Sequence, residues 1–394
     1  MTPLDAQLAT GLAAQEAAHR YRRRRVVEAR ATGSQRVRVE GRECLAFCSN
    51  DYLGLSDHPR VTEAFVAAAR AWGVGSGASH LVSGHCREHH ALEEEIAAFV
   101  QRPRALLFST GYMANLAVAQ TLVARGDRIF EDRLNHASLL DAGLVSGARF
   151  ARFPHADAGA LRTRLARPAH GRTLVATDGV FSMDGDIAPL QDLAAACRDH
   201  DAWLFVDDAH GFGVLGEHGR GSCEAAGLGT EDVPILMCTL GKAGGTFGAF
   251  VAGSHALIET LIQRGRTYIY TTALPPAVAA ATRASIQVIR EEDWRRRQVL
   301  DHVTRFRGET VGMGLRLMPS PTPIQPIVLG SESAALEASD ALLAAGLWVP
   351  AIRPPTVPAG SSRLRITFSA AHAREDVDRL LDALAVLARE GRLA

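Results

Sequence analysis

Lysine is almost missing from this sequence: a single one, Lys242, stands among 43 basic residues. Arginine serves wherever a cation alone suffices, so the surviving lysine marks a task that arginine cannot do. Arginine stays protonated, whereas lysine can lose its proton and attack a carbonyl carbon. Net charge is missing too, since 43 acidic residues balance the 43 basic ones. That balance gives no reason to expect nucleic acid or a membrane surface as partner. No apolar run approaches the roughly 18 residues of a membrane span. Residues 1–12 lack the basic-then-apolar pattern of a leader. A soluble, cytoplasmic protein is therefore expected.

Cysteine is sparse as well, with six residues scattered over 394. That usage speaks against the disulfide framework of a short secreted chain, and reduced thiols are expected. Cys44 and Cys48 lie near each other, but no second pair completes a zinc site. His85, Cys86, His89 and His90 look like metal ligands at first sight. At the head of the amphipathic stretch 85–100 they read as ordinary helix-start residues, and no metal is expected.

What is present suits a large α/β protein. Hydrophobic residues make up 47% of the chain, enough for one large domain and a smaller one. Short apolar runs at 105–108, 128–131, 173–177, 203–207, 235–238 and 247–252 alternate with helical patterns such as 113–124 and 190–200. This alternation predicts a mainly parallel sheet with ligands at the carboxyl ends of its strands. Residues 1–45 read as an arm, in which the run Arg22-Arg23-Arg24-Arg25 lies on a solvated helix face and a strand pair follows near 37–47. The large, cofactor-binding domain spans 46–290. A small α+β C-terminal domain spans 291–394, with strands at 326–329, 347–352 and 363–368.

The candidate site residues fall at the predicted strand ends. Lys242 follows the apolar run 235–238 and Thr239 on a turn rich in glycine, where Gly244, Gly245 and Gly248 permit tight bending and close approach. The strand 203–207 ends in Asp207-Asp208-Ala209-His210. An ionised Asp207 pressed against apolar residues needs a cationic partner, and a protonated pyridine nitrogen is one that would keep such a ring an electron sink. His210 is placed to reach the ring's phenolic oxygen. Gly111 and Tyr112 open a helix after a strand, a natural phosphate seat. His136 follows another strand and is placed to lie flat on a ring, and Ser182 stands just past a further strand end.

Four motifs jointly resemble the α-oxoamine synthases: Asp207-Asp-Ala-His210, Thr239-Leu-Gly-Lys242, Ser49-Asn-Asp-Tyr-Leu-Gly54 and Phe181-Ser-Met-Asp-Gly185. The resemblance runs from about residue 20 to 384. It implies the type I fold of pyridoxal-phosphate-dependent transferases and an acyltransferase that condenses L-alanine with a pimeloyl thioester, on coenzyme A or an acyl carrier protein, with loss of carbon dioxide. By resemblance, Lys242 holds pyridoxal 5′-phosphate as a Schiff base and moves protons, Asp207 pairs with the ring nitrogen, and His136 stacks on the ring. Ser182 and His210 address the phenolic oxygen, while Gly111, Tyr112 and Thr239 place the cofactor and its phosphate. Arg365, with Asn50, holds the amino-acid carboxylate, and Arg22 and Thr356 contact the acyl substrate. Ser79 stands where a glycine-using relative has threonine, leaving room for alanine's methyl group. The resemblance also implies a homodimer. A glycine- or serine-using member of the same family is the alternative. A plain aminotransferase would turn over alanine with a keto acid, with no thioester and no loss of carbon dioxide. A silent binding module leaves Lys242 with Asp207 and His210 unexplained, and the glycines of Gly73-Val-Gly-Ser-Gly77 do not sit between a clear strand and helix as a Rossmann dehydrogenase requires.

Overall fold

The computed structural model describes residues 2–168 and 170–393. They form two compact units, one of residues 2–49, 183–185 and 298–393, the other of residues 50–182 and 186–297.

The first unit begins with the helix Pro3–Ala17, capped by Thr2, whose side chain accepts from the Asp5 N–H while Asp5 returns the bond to the Thr2 backbone. Strands β1 (Val27–Arg30), β2 (Arg36–Val39) and β3 (Arg42–Ala46) follow. β2 and β3 form a hairpin whose turn residues Glu40 and Gly41 sit at φ 49° and 75°, the backbone that matches strand twist. The expected arm helix ends earlier than the sequence suggested. Its last turn closes at Ala18, His19 turns at φ 55°, and the four arginines lie beyond it in extended chain. Four successive like charges disfavour one helical turn, and here three of them find separate partners. Arg23 pairs with Glu16 and Arg25 with Glu40, while Arg22 donates to the Thr356 hydroxyl at 3.2 Å.

The second unit holds the main sheet. Its strands are β4 (Arg104–Phe108), β5 (Arg128–Asp132), β6 (Arg149–Phe153), β7 (Thr173–Asp178), β8 (Trp203–Asp207), β9 (Ile235–Thr239) and β10 (Ala249–Gly253), in the order β4-β10-β9-β8-β7-β5-β6. Only β10 runs antiparallel to its neighbours. Every residue of β7 and β10 is buried, as a sheet covered on both faces requires. β6 escaped the sequence reading because it is a half-exposed edge strand with arginines at 149 and 152, so no continuous apolar run marks it.

In the first unit's C-terminal part, β11 (Ile324–Gly330), β13 (Ala351–Ile352) and β14 (Ser362–Thr367) make a three-stranded sheet. The expected single strand 347–352 is two. β12 (Leu347–Trp348) joins β3 in parallel, and β13 joins β14. Pro350 has no N–H for a ladder bond, which places the break between them. Leu364, Ile366, Phe368, Leu380 and Leu384 fill this unit's core. The six cysteines are free thiols. No helix among the described residues is long and apolar enough to cross a membrane.

Phe205 lies in the middle of β8 at 1% exposure, within the core cluster of the main sheet. Phe205→Ala is expected to remove ~3–5 kcal/mol of stability, read as a lower urea midpoint.

Candidate active site

Because β4, β5, β7, β8 and β9 run the same way, their carboxyl ends share one edge of the sheet. The loops leaving that edge enclose a cavity of about 210 Å³. All eight residues assigned to the cofactor line it: Gly111, Tyr112, His136, Ser182, Asp207, His210, Thr239 and Lys242. Larger grooves of about 440 and 630 Å³ are lined by arginines and carboxylates mixed with aromatic and apolar residues. The smaller cavity alone gathers a lysine, two histidines and buried acids, so chemistry rather than size singles it out.

Lys242 reaches the wall through a forced turn. Gly245, at φ +64°, donates its N–H to the Lys242 carbonyl at 2.8 Å, and a Cβ there would lie 2.5 Å from the Leu55 carbonyl carbon. Glycine is required at that point. The Lys242 Nζ lies 2.9 Å from His210 Nε2, and His210 Nδ1 lies 2.7 Å from the Tyr52 hydroxyl.

Opposite them sit two acids. Asp178 and Asp207 end neighbouring strands as direct register partners and are 3% and 5% exposed. Asp207 accepts from the Asn115 amide at 2.8 Å and from the Ala209 N–H at 3.1 Å. Asp178 accepts from the His136 N–H at 3.0 Å. Burial, and then the nearby Asp207 carboxylate, push the Asp178 carboxyl well above the usual range. Two like charges on adjacent strand ends disfavour one another. His136 Nδ1 is 2.7 Å from the Ser138 hydroxyl, which also accepts from Asn115. Burial holds this imidazole below its ordinary value. At the end of β4, Thr110 caps the helix Gly111–Leu122 by accepting from the Met113 N–H. The first N–H groups of that helix have no partner within it and face the cavity at Gly111 and Tyr112. Tyr112 is half-exposed and hydrogen-bonds Asp141.

Residues 42–384 match the sequence pattern of aminotransferase class I and II. The chain belongs to that family. It is 60% identical to the 8-amino-7-oxononanoate synthase of Saccharophagus degradans over 98% of each chain. Among solved structures it is similar to serine palmitoyltransferase from S. paucimobilis with a PLP–myriocin aldimine bound, at 30% identity and TM-score 0.92, over 99% of each chain. An 8-amino-7-oxononanoate synthase from Francisella tularensis is 31% identical with TM-score 0.77, over 88% of this chain and 98% of that one. The fold is the type I fold of pyridoxal-phosphate-dependent transferases.

The sequence reading passed over Asn115, Ser138, Asp178 and the Tyr52 hydroxyl. Their signals were a lone amide in an apolar helix and a second acid at a buried strand end. Of the substrate candidates of this class I and II chain, Asn50 and Ser79 lie in the second unit. Asn50 Oδ1 is 3.3 Å from the Tyr52 hydroxyl, and Ser79 bridges Thr272. Arg22, Thr356 and Arg365 lie in the first unit, where Arg22 bonds Thr356 and Arg365 is buried on β14. His85 and Cys86 precede the helix Arg87–Phe99, which His89 and His90 begin. His80, His85 and His89 cluster there, but His89 accepts from the Cys86 N–H and donates to the Leu274 carbonyl. Both its ring nitrogens are thus engaged.

His155 staples two of the loops. One nitrogen lies 3.0 Å from Asp132, which leads into the His136 loop, and the other 2.8 Å from Asp186, which follows Ser182. Burial lowers this imidazole's pKa, but hydrogen bonds and charge from both carboxylates outweigh burial and bring it to about 10. A raised value means the contribution is complete below the unfolded value near ~6.5 and fades as pH passes about 10. His155→Ala is expected to lower the melting temperature most at pH 6. Melts of both proteins from pH 6 to 10.5 should converge at the alkaline end.

Proposed function

We propose that this chain catalyses the decarboxylative condensation of L-alanine with a pimeloyl thioester, giving 8-amino-7-oxononanoate, carbon dioxide and the free thiol carrier, a step of biotin biosynthesis. The observation that carries the reading is the convergence of the sole lysine with Asp207, His136 and His210 on one cavity at the carboxyl edge of the sheet. The 60% identity to a curated 8-amino-7-oxononanoate synthase supports the substrate class.

The cavity fits pyridoxal 5′-phosphate. Two buried acids stand on its floor, and the Asp178 Oδ1 atom has no hydrogen-bond partner among the described residues. A protonated ring nitrogen would offset that polarity at Asp207. In this reading Lys242 holds the cofactor covalently and His136 covers the ring face. Ser182 and His210 address the phenolic oxygen, while Gly111, Tyr112 and Thr239 seat the phosphate on the helix end. When bound, the cofactor supplies an electron sink that stabilises a carbanion at the α-carbon of alanine.

The rest is the work of the chain's own groups. Lys242, once its amine is free, takes and returns the proton at the α-carbon. Arg365, helped by Asn50, binds the alanine carboxylate through a planar two-pronged contact. Arg22 takes the distal pimeloyl carboxylate, Thr356 contacts substrate, and Ser79 leaves space for the methyl group. The acyl donor is carried by coenzyme A or an acyl carrier protein, and the working form is a cytoplasmic homodimer.

Purified protein with L-alanine and pimeloyl-CoA or pimeloyl-acyl carrier protein is expected to release thiol only when alanine is present. Lys242→Ala should abolish the visible cofactor band and lower release by at least ~10²-fold. Release with glycine or serine but not alanine would move the chain to another branch of the α-oxoamine synthases. Ser79→Thr is expected to shift the kcat/KM ratio of alanine to glycine toward glycine by ~10-fold or more, since one methyl group discriminates by ~1–3 kcal/mol.

A further inference from the structure

Ser138 on the cavity wall and Asn115 behind it are buried polar side chains that the reaction as proposed leaves unused. The Asn115 Nδ2 atom donates to Asp207 Oδ2 and to the Ser138 hydroxyl, each at 2.8 Å. Its carbonyl Oδ1 has no hydrogen-bond partner among the described residues. A buried carbonyl left unpaired is costly, so packing does not explain an asparagine there. Asp207 fixes which way the amide faces, since Oδ1 turned toward the carboxylate would set two acceptors against each other. Ser138 passes this orientation on. Its backbone N–H lies 3.2 Å and its hydroxyl 2.7 Å from His136 Nδ1. A backbone N–H can only donate, so Nδ1 carries a lone pair and the imidazole proton is on Nε2. Two atoms 2.7 Å apart need a proton between them. Nδ1 has none to give, so the serine hydroxyl, already accepting from Asn115, donates it.

We propose that Ser138, oriented by Asn115, is a positioning residue that holds His136 as the neutral Nε2–H tautomer, so that an uncharged imidazole covers the cofactor ring. The proposal deepens the functional reading and rests on it. Asp207, where this chain of bonds begins, is the partner assigned to the protonated ring nitrogen, and an imidazolium stacked on that ring would set two cations face to face. A bond to Nδ1 lies in the imidazole plane, so it leaves the ring faces open for stacking. The surrounding charges do not secure the neutral form by themselves. Burial and Lys242 disfavour the charged imidazole, whereas Asp207 at the end of β8 and Asp141 on the helix Ala137–Val145 favour it. Asp178 accepts from the His136 backbone N–H, and Tyr112 and His210 complete the titratable groups of the wall. A donor aimed at Nδ1 acts directly, because only the neutral ring offers a lone pair there.

The test uses nitrogen-15 spectra of the full-length protein labelled at histidine and loaded with pyridoxal 5′-phosphate, with His136→Ala identifying the signals. An unprotonated Nδ1 and a protonated Nε2 are expected. Ser138→Ala should raise the midpoint of the His136 titration by about half a pH unit or more, a threefold change or larger, one unit being tenfold. Asn115→Leu, which frees the serine hydroxyl to turn away, should shift it the same way and add nothing in the Ser138→Ala background. A protonated Nδ1 in the wild type, or an unchanged or lower midpoint in Ser138→Ala, overturns the proposal. A further shift from Asn115→Leu without the serine hydroxyl overturns the part given to Asn115. Should Ser138→Ala fail to fold, the wild-type tautomer decides alone. Thiol release is measured on the same loaded sample. Release with a protonated Nδ1 overturns this proposal only, whereas an unprotonated Nδ1 without release overturns the functional reading and leaves the tautomer supported.

Discussion

Two carboxylates at the ends of adjacent buried strands are the constraint on which the site depends. Asp178 and Asp207 are register partners on parallel strands and are almost fully buried, so two charges there are costly without a cation. Hydrogen bonds from the surrounding chain tie both down. Asp207 is bonded by Asn115 and the Ala209 N–H, while Asp178 receives the His136 N–H. The same bonds therefore hold the His136 backbone, Asp207 and Asp178 around one cavity.

The parallel direction of the strands does the gathering. Each crossover returns the chain so that the next strand ends on the same edge, and residues far apart in the chain meet there. Asn115 on the helix after β4 touches Asp207 at the end of β8. Lys242 after β9 lies beside His210 after β8, which in turn meets Tyr52. Loops alone would leave these groups mobile. The Gly245 turn, the Asp51 turn and the His155 bridge between Asp132 and Asp186 remove that freedom locally.

Much of this was legible in the chain itself. Strands with continuous apolar runs, such as 173–177 and 203–207, stood out because a sheet covered on both faces demands them. The edge strand β6 was not legible, since its partly exposed, arginine-bearing pattern carries no such run. The arm helix was read too far because the arginine run continues a helical composition. Its actual end is set by the turn at His19, with Arg353 donating to the His19 and Tyr21 carbonyls. Those partners lie more than three hundred residues away.

Lys242, Asp207, His210, His136, Ser182, Thr239, Gly111 and Tyr112 were chosen from residue chemistry and motif. A lone lysine, an acid ending an apolar strand and a glycine-rich turn each announce a task through a property no common substitute shares. By itself the sequence determined which reactive groups are on hand and at which strand ends they stand, because reactivity belongs to the side chain. Only the tertiary structure decided their partners and their surroundings. Burial of Asp178 beside Asp207, and the approach of Tyr52 to His210, depend on which surfaces water has left, and that is a property of the folded whole.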